Sequence, residues 1–285
     1  MGAGEPDQDD AGGPCAGLVR AGDPDRYYAT LLAPADKRPH LFALYAFSGE
    51  IARVRETISA PMPGEIRLQW WRDVLANEAR DDVGSHPVAS ALLTAIDRYG
   101  LPRQGLLDLI EARTFDLYDD LMPGVGDLEG YLGETSSALM RLASLILADG
   151  RDPGSADLAG HAGIAYGLSG LLRALPWHAR RGQVFIPRAI LDRHGVTRDD
   201  IVMGRGGPGF VAALADMRAL ARVHLARTDV LLKEVPRALR PAFLPVSLVS
   251  GYLAAMNRSG YDPLHTVVDR PAWVKIARLW WAARG

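Results

Sequence analysis

Apolar residues recur at three- and four-residue steps along almost the whole chain, and that period constrains its fold more than any other feature. In ADKRPHLFALYAFSGEIARVRETIS the step runs through Leu41, Leu44, Tyr45, Ala52 and Arg55. PGEIRLQWWRDVLANEAR, HPVASALLTAIDRYG, DLEGYLGETSSALMRLASLILADG, SADLAGHAGIAYGLSGLLRAL and FVAALADMRALARVHLARTDVLLKEV continue it. Asp23 before Pro24 has the form of a helix N-cap, and Gly100 that of a C-terminal stop. No segment alternates with the period of two that a half-buried strand needs. The expectation is an all-α fold of about ten helices forming one domain over residues 21–285.

Composition narrows the function classes. A net charge of −2 gives no reason to expect nucleic-acid binding. The single cysteine, Cys15, rules out an internal disulfide framework. Residues 1–20 are acidic, small and rich in glycine and proline, so they are expected to form a disordered tail. They have neither the basic and apolar regions of a secretory signal nor the arginines of a mitochondrial transit peptide. No uninterrupted apolar stretch is long enough to span a bilayer. The expected location is the cytoplasm, with peripheral contact at the inner membrane face.

Common nucleotide and metal motifs are missing: there is no G-x-x-x-x-G-K-[ST], no H-E-x-x-H and no C-x-x-C. Arginines cluster in two segments, FALYAFSGEIARVRE (42–56) and GIAYGLSGLLRALPWHARRGQVFIP (163–187). Arginine can clamp phosphate without a metal, so Arg53, Arg173, Arg180 and Arg181 are candidate anion ligands. In RLQWWRDVL, Trp70 and Trp71 point about 100° apart. At least one must be buried, and the pair is a candidate partner surface. Asp116, Asp119 and Asp120 have the form of a solvated helix end. Near the C-terminus, Trp273, Trp280 and Trp281 alternate with Lys275, Arg278 and Arg284, which suits either a membrane interface or docking on the bundle.

These two segments, with RYY at 26–28 and RLQWWR at 67–72, resemble the squalene/phytoene synthase family. The resemblance implies an isoprenoid-synthase-like helical bundle around a central cavity, in which two prenyl diphosphates are joined. It also implies two aspartate-rich helix segments that hold Mg²⁺ against the diphosphate. At the positions matching the first of these stand Ala52, Arg53 and Glu56, preceded by Gly49. At those matching the second stand Gly167, Gly170, Ala174, Trp177 and His178. Each carboxylate–cation pair near 4 Å is worth about 4 kcal/mol at an effective dielectric of about 20. One remaining carboxylate cannot supply such a cluster, so no cofactor is expected and Mg²⁺ is not expected to bind.

The stripe Gly163, Gly167, Gly170, Ala174 and His178 covers roughly 80° of a helix. Either another helix or the bulky Trp177 fills the space beside it, or a ligand other than Mg²⁺–diphosphate occupies that space. LLRALPWHARRGQVFIP is similar to the aspartate-less branch of the family known from mitochondria as a respiratory complex I assembly factor. Without a transit peptide, the resemblance implies a bacterial relative of that branch. The implied function is non-catalytic support of complex I biogenesis. Its implied partners are complex I subunits or assembly proteins, or a bound prenyl lipid. The alternative is an active prenyl transferase with an altered diphosphate site using Arg53, Arg173 and Glu56.

Overall fold

A computed structural model describes residues 13–58, 60–78 and 83–284. Among these residues there are fifteen α-helices and no β-strand. The first half comprises α1 (Gly13–Gly22), α2 (Pro24–Thr30), α3 (Arg38–Arg53), α4 (Pro61–Ala76), α5 (Pro87–Tyr99), α6 (Arg103–Thr114), α7 (Val125–Leu132) and α8 (Ala138–Leu147). The second comprises α9 (Ala156–Arg173), α10 (Leu175–Arg180), α11 (Arg188–Arg193), α12 (Arg198–Val202), α13 (Pro208–Leu231), α14 (Val249–Ala255) and α15 (Ala272–Arg284).

The all-α expectation holds, but the helix number exceeds ten because prolines and tight turns divide the periodic runs. Pro176 cannot donate the N–H that would continue α9, so the helix breaks at Ala174 and resumes as α10. Pro241 and Pro245 similarly leave 3₁₀ turns at Arg237–Ala242 and Leu244–Leu248. Between α7 and α8 the chain does not break; it widens into one π turn, Gly133–Ser137.

α3 is the central element. Every residue from Leu41 to Ser48 is buried, and α1, α2, α5, α6 and α8 surround it. On the other side, α9 packs along α13 and against α7, α8 and α14.

The expected tail at residues 1–20 is corrected from Gly13 onward; the rest of it, residues 1–12, lies outside the described residues. Cys15, Ala16 and Val19 form a small apolar face that α1 buries on α3 and α5. Burial, reinforced by the Glu50 carboxylate, pushes the Cys15 thiol above its ordinary pKa, so it sits there as a small apolar group. Asp23 then caps α2, accepting from the Arg26 backbone N–H at 3.0 Å.

Candidate functional site

The first motif segment lies at the C-terminal end of α3 and in the 3₁₀ turn Val54–Thr57 that follows it. Gly49, Ala52, Arg53 and Glu56 line a pocket of about 290 Å³, which Leu18, Val19 and Gly22 of α1 close from above. The Arg53 guanidinium lies against Gly22, whose missing side chain leaves it room. Arg26 and Arg113 reach the same pocket. Arg26 is held by Asp23 at 2.9 Å and by the faces of Tyr45 and Tyr166. Arg113 donates to Asp116 at 2.9 Å and to the Tyr131 hydroxyl at 2.7 Å.

The second segment runs through α9, the break at Ala174, and α10. Its small-residue stripe has two parts. A side chain at Gly163 would collide with the Ser137 backbone, and one at Gly167 would come within 2.6 Å of Leu132. Here the stripe lets α9 cross the π turn closely. Gly170 has nothing within 4 Å of where a Cβ would stand. Trp177 does not fill that space: it is half exposed, with Arg180 stacked over it at 5.6 Å.

His178 is half-buried against Phe185, with ring centroids 4.7 Å apart. Burial, with Arg113 and Arg181 adding positive charge nearby, brings its pKa down to about 4, so the imidazole is neutral near pH 7.

The two segments are joined by an ion pair. Arg181 Nη1 donates to Glu56 Oε1 at 2.9 Å. Glu56, the one carboxylate expected at the motif positions, is therefore engaged by an arginine. Among the described residues, no three His, Cys, Asp or Glu side chains are gathered as a metal ion would need.

Arg173, expected among the anion ligands, points elsewhere. Its guanidinium binds Asp25 Oδ2 at 3.2 Å, Asp269 Oδ1 at 3.1 Å and the Val268 carbonyl at 2.9 Å. It also lies 3.9 Å from the Tyr252 ring centroid. Asp25, itself buried, is further held by Lys275 at 2.9 Å and the Tyr252 hydroxyl at 2.8 Å. Burial alone would lower the Lys275 pKa and raise that of Asp269. The hydrogen bonds between them and to Asp25 reverse both effects, so Lys275 stays high and Asp269 low. Its Nε, Nη1 and Nη2 groups each donate to one of these partners, which holds the guanidinium in the Asp25 cluster. Arg53, Arg180 and Arg181 do not converge with it.

Trp70 and Trp71 divide as their 100° offset requires. Trp71 is 2% exposed and belongs to the core, which removes it from the candidate partner surface. Trp70 is partly exposed and lines a cleft of about 820 Å³ with Glu50, Arg53, Arg67 and His86. Asp116, expected at a solvated helix end, is buried and accepts from Tyr131 at 2.8 Å. The one sequence signal for this is Arg113, three residues before it.

The family model described as squalene/phytoene synthase matches residues 19–277. This chain belongs to the squalene/phytoene synthase family.

Within that family, the chain is 32% identical over 251 residues to a human protein named NADH dehydrogenase (ubiquinone) complex I, assembly factor 6. The match covers 88% of this chain and 75% of that one. It is 26% identical over 215 residues to the presqualene diphosphate synthase of Sinorhizobium fredii, covering 74% of this chain and 75% of that one. Among solved structures, the squalene synthase HpnC from Alicyclobacillus acidocaldarius superimposes with a TM-score of 0.71 at 25% identity, over 87% of this chain and 94% of that one. The squalene/phytoene synthase framework is therefore kept in this chain.

Proposed function

We propose that this chain is a non-catalytic member of the squalene/phytoene synthase family that supports the assembly of respiratory complex I. The observation that carries the reading is the Arg181–Glu56 pair at 2.9 Å, which occupies the one motif carboxylate. The other positions expected to match the motifs are Ala52, Arg53, Gly167, Gly170, Ala174, Trp177 and His178, of which only the imidazole could donate to a metal, and it is crowded by two arginines. This donor set does not fit a magnesium cluster. The similarity to a protein named as a complex I assembly factor supports the second half of the reading. In this role the chain would engage complex I subunits, assembly proteins or a bound prenyl lipid, at the inner face of the membrane.

Two measurements test it. Purified protein with farnesyl or geranylgeranyl diphosphate and Mg²⁺ should give no condensed C30 or C40 product; clear turnover would overturn the non-catalytic half and favour the transferase reading. Deletion of the gene should lower complex I activity and leave isoprenoid content unchanged. The reverse pattern would overturn the assembly half.

A further inference from the structure

α15 is anchored on one side and bare on the other. Leu279 and Lys275 are buried, 0% and 3% exposed. Along the opposite face, Trp273 and Trp281 are 73% and 72% exposed, with Ile276 and Trp280 between them at 47% and 40%. Exposed large apolar residues concentrated on one helix face mark a contact surface. The helix AWVKIARLWWAAR carries three basic residues and no acidic one. Arg284 stacks on Trp280 at 3.3 Å, and Arg278 donates to the Ser247 carbonyl at 3.1 Å.

Beside this face lies a groove of about 460 Å³ between α13, the two 3₁₀ turns and α15. Leu225, Phe243, Leu244 and Trp281 give it apolar walls, while Arg240 and Arg278 bring positive charge against a single carboxylate, Asp229. Among the described residues, the buried Nε and Nη1 atoms of Arg240 have no hydrogen-bond partner. A buried guanidinium left unpaired is unfavourable unless an anion meets it. An apolar groove, two arginines at its wall and tryptophans at its edge together match an amphiphile with a charged phosphate head.

We propose that α15 and this groove dock the protein on a bilayer by binding an anionic phospholipid. The phosphate accepts from Arg240 and Arg278, an acyl chain lies along Phe243 and Leu244, and Trp273 and Trp281 rest in the headgroup layer. The contact is peripheral, since no helix among the described residues is long and apolar enough to cross a membrane. This inference deepens the membrane-face location in the proposed function and does not depend on whether the chain is catalytic.

Flotation of the purified protein with vesicles tests it. Vesicles of phosphatidylcholine mixed with phosphatidylglycerol should carry the protein up, those of phosphatidylcholine alone should carry much less, and added salt should weaken the first. Arg240→Gln should reduce partition about fivefold without lowering the melting temperature, because it removes an unpartnered charge. Trp273→Ala with Trp281→Ala should reduce it by about tenfold or more. Equal binding to both vesicle types, or partition unchanged in these variants, would overturn the proposal. So would a melting temperature that falls in Arg240→Gln while partition holds. Stabilisation by inorganic phosphate without vesicle binding, or a dimer in sedimentation that the tryptophan variants abolish, would overturn it in favour of a free anion or a second copy.

Discussion

Arg181, just past α10, and Glu56, in the 3₁₀ turn after α3, form a direct ion pair at 2.9 Å. Both side chains remain substantially solvated, so the pair contributes at most about 1 kcal/mol to stability. Glu56→Gln should shift the unfolding midpoint only slightly and leave complex I activity in a complemented deletion strain unchanged. Millimolar Mg²⁺ should not raise the melting temperature of the wild-type protein, whereas a bound ion would do so by mass action. A rise seen in wild type and lost in Glu56→Gln would contradict the proposed loss of metal binding.

The glycines of α9 should separate in a graded series. Gly163→Ala meets backbone of the π turn, which cannot move without shifting a helix, and should cost about 3 kcal/mol or more. Gly167→Ala meets chiefly the flexible end of Leu132, with the Ser136 Cβ at 3.3 Å, and should cost about 1–2 kcal/mol. Gly170→Ala meets nothing and should stabilise by about 0.5–1 kcal/mol through helix propensity. Urea unfolding of the three variants reads the order directly. Equal effects at 163 and 170 would contradict the close crossing.

Asp25 holds two cations in the interior, so removing its charge should be severe. Asp25→Asn leaves Arg173 and Lys275 sharing Asp269 alone, which is 55% exposed. Breaking a buried pair in this way costs about 3–5 kcal/mol. Chemical denaturation should show a loss of that size, and limited proteolysis should cut first around α15. A loss below about 1 kcal/mol would show that the cluster is dispensable.

His178 predicts one limb of the pH–stability curve. Its imidazole titrates at about 4 in the fold and near 6.5 when unfolded, because burial and then Arg113 and Arg181 disfavour its charge. Between those values the unfolded chain holds more protons, so stability falls as pH falls from about 6.5 toward 4 and is fully present above. The contribution is at most about 3 kcal/mol. His178→Phe should flatten this limb, measured by denaturation midpoints across the range. An unchanged limb would assign it to other groups.

Much of this was legible in the sequence. The three- and four-residue period identifies the helices, and the angular offset of Trp70 and Trp71 forces one of them inward. The motif positions can be matched through the resemblance to the squalene/phytoene synthases. What Arg173 does cannot, because Asp25, Asp269, Lys275 and Tyr252 come from remote parts of the chain, and only folding brings them together. α1 escaped notice for a different reason. Gly13 and Pro14 suggest a loop, while its buried face, Cys15, Ala16 and Val19, is too small to give a period. Only the surface of α3 makes that face worth burying.

The Asp25 cluster also sets an order of events during synthesis. Asp25 leaves the ribosome early and Tyr252 and Lys275 late, separated by most of the chain. A growing polypeptide thus carries a carboxylate whose partners arrive in sequence, Arg173 first, then Tyr252, then Lys275. Until residue 275 has been made, Asp25 has no buried ammonium beside it, and α2 and α15 cannot be joined through that side chain.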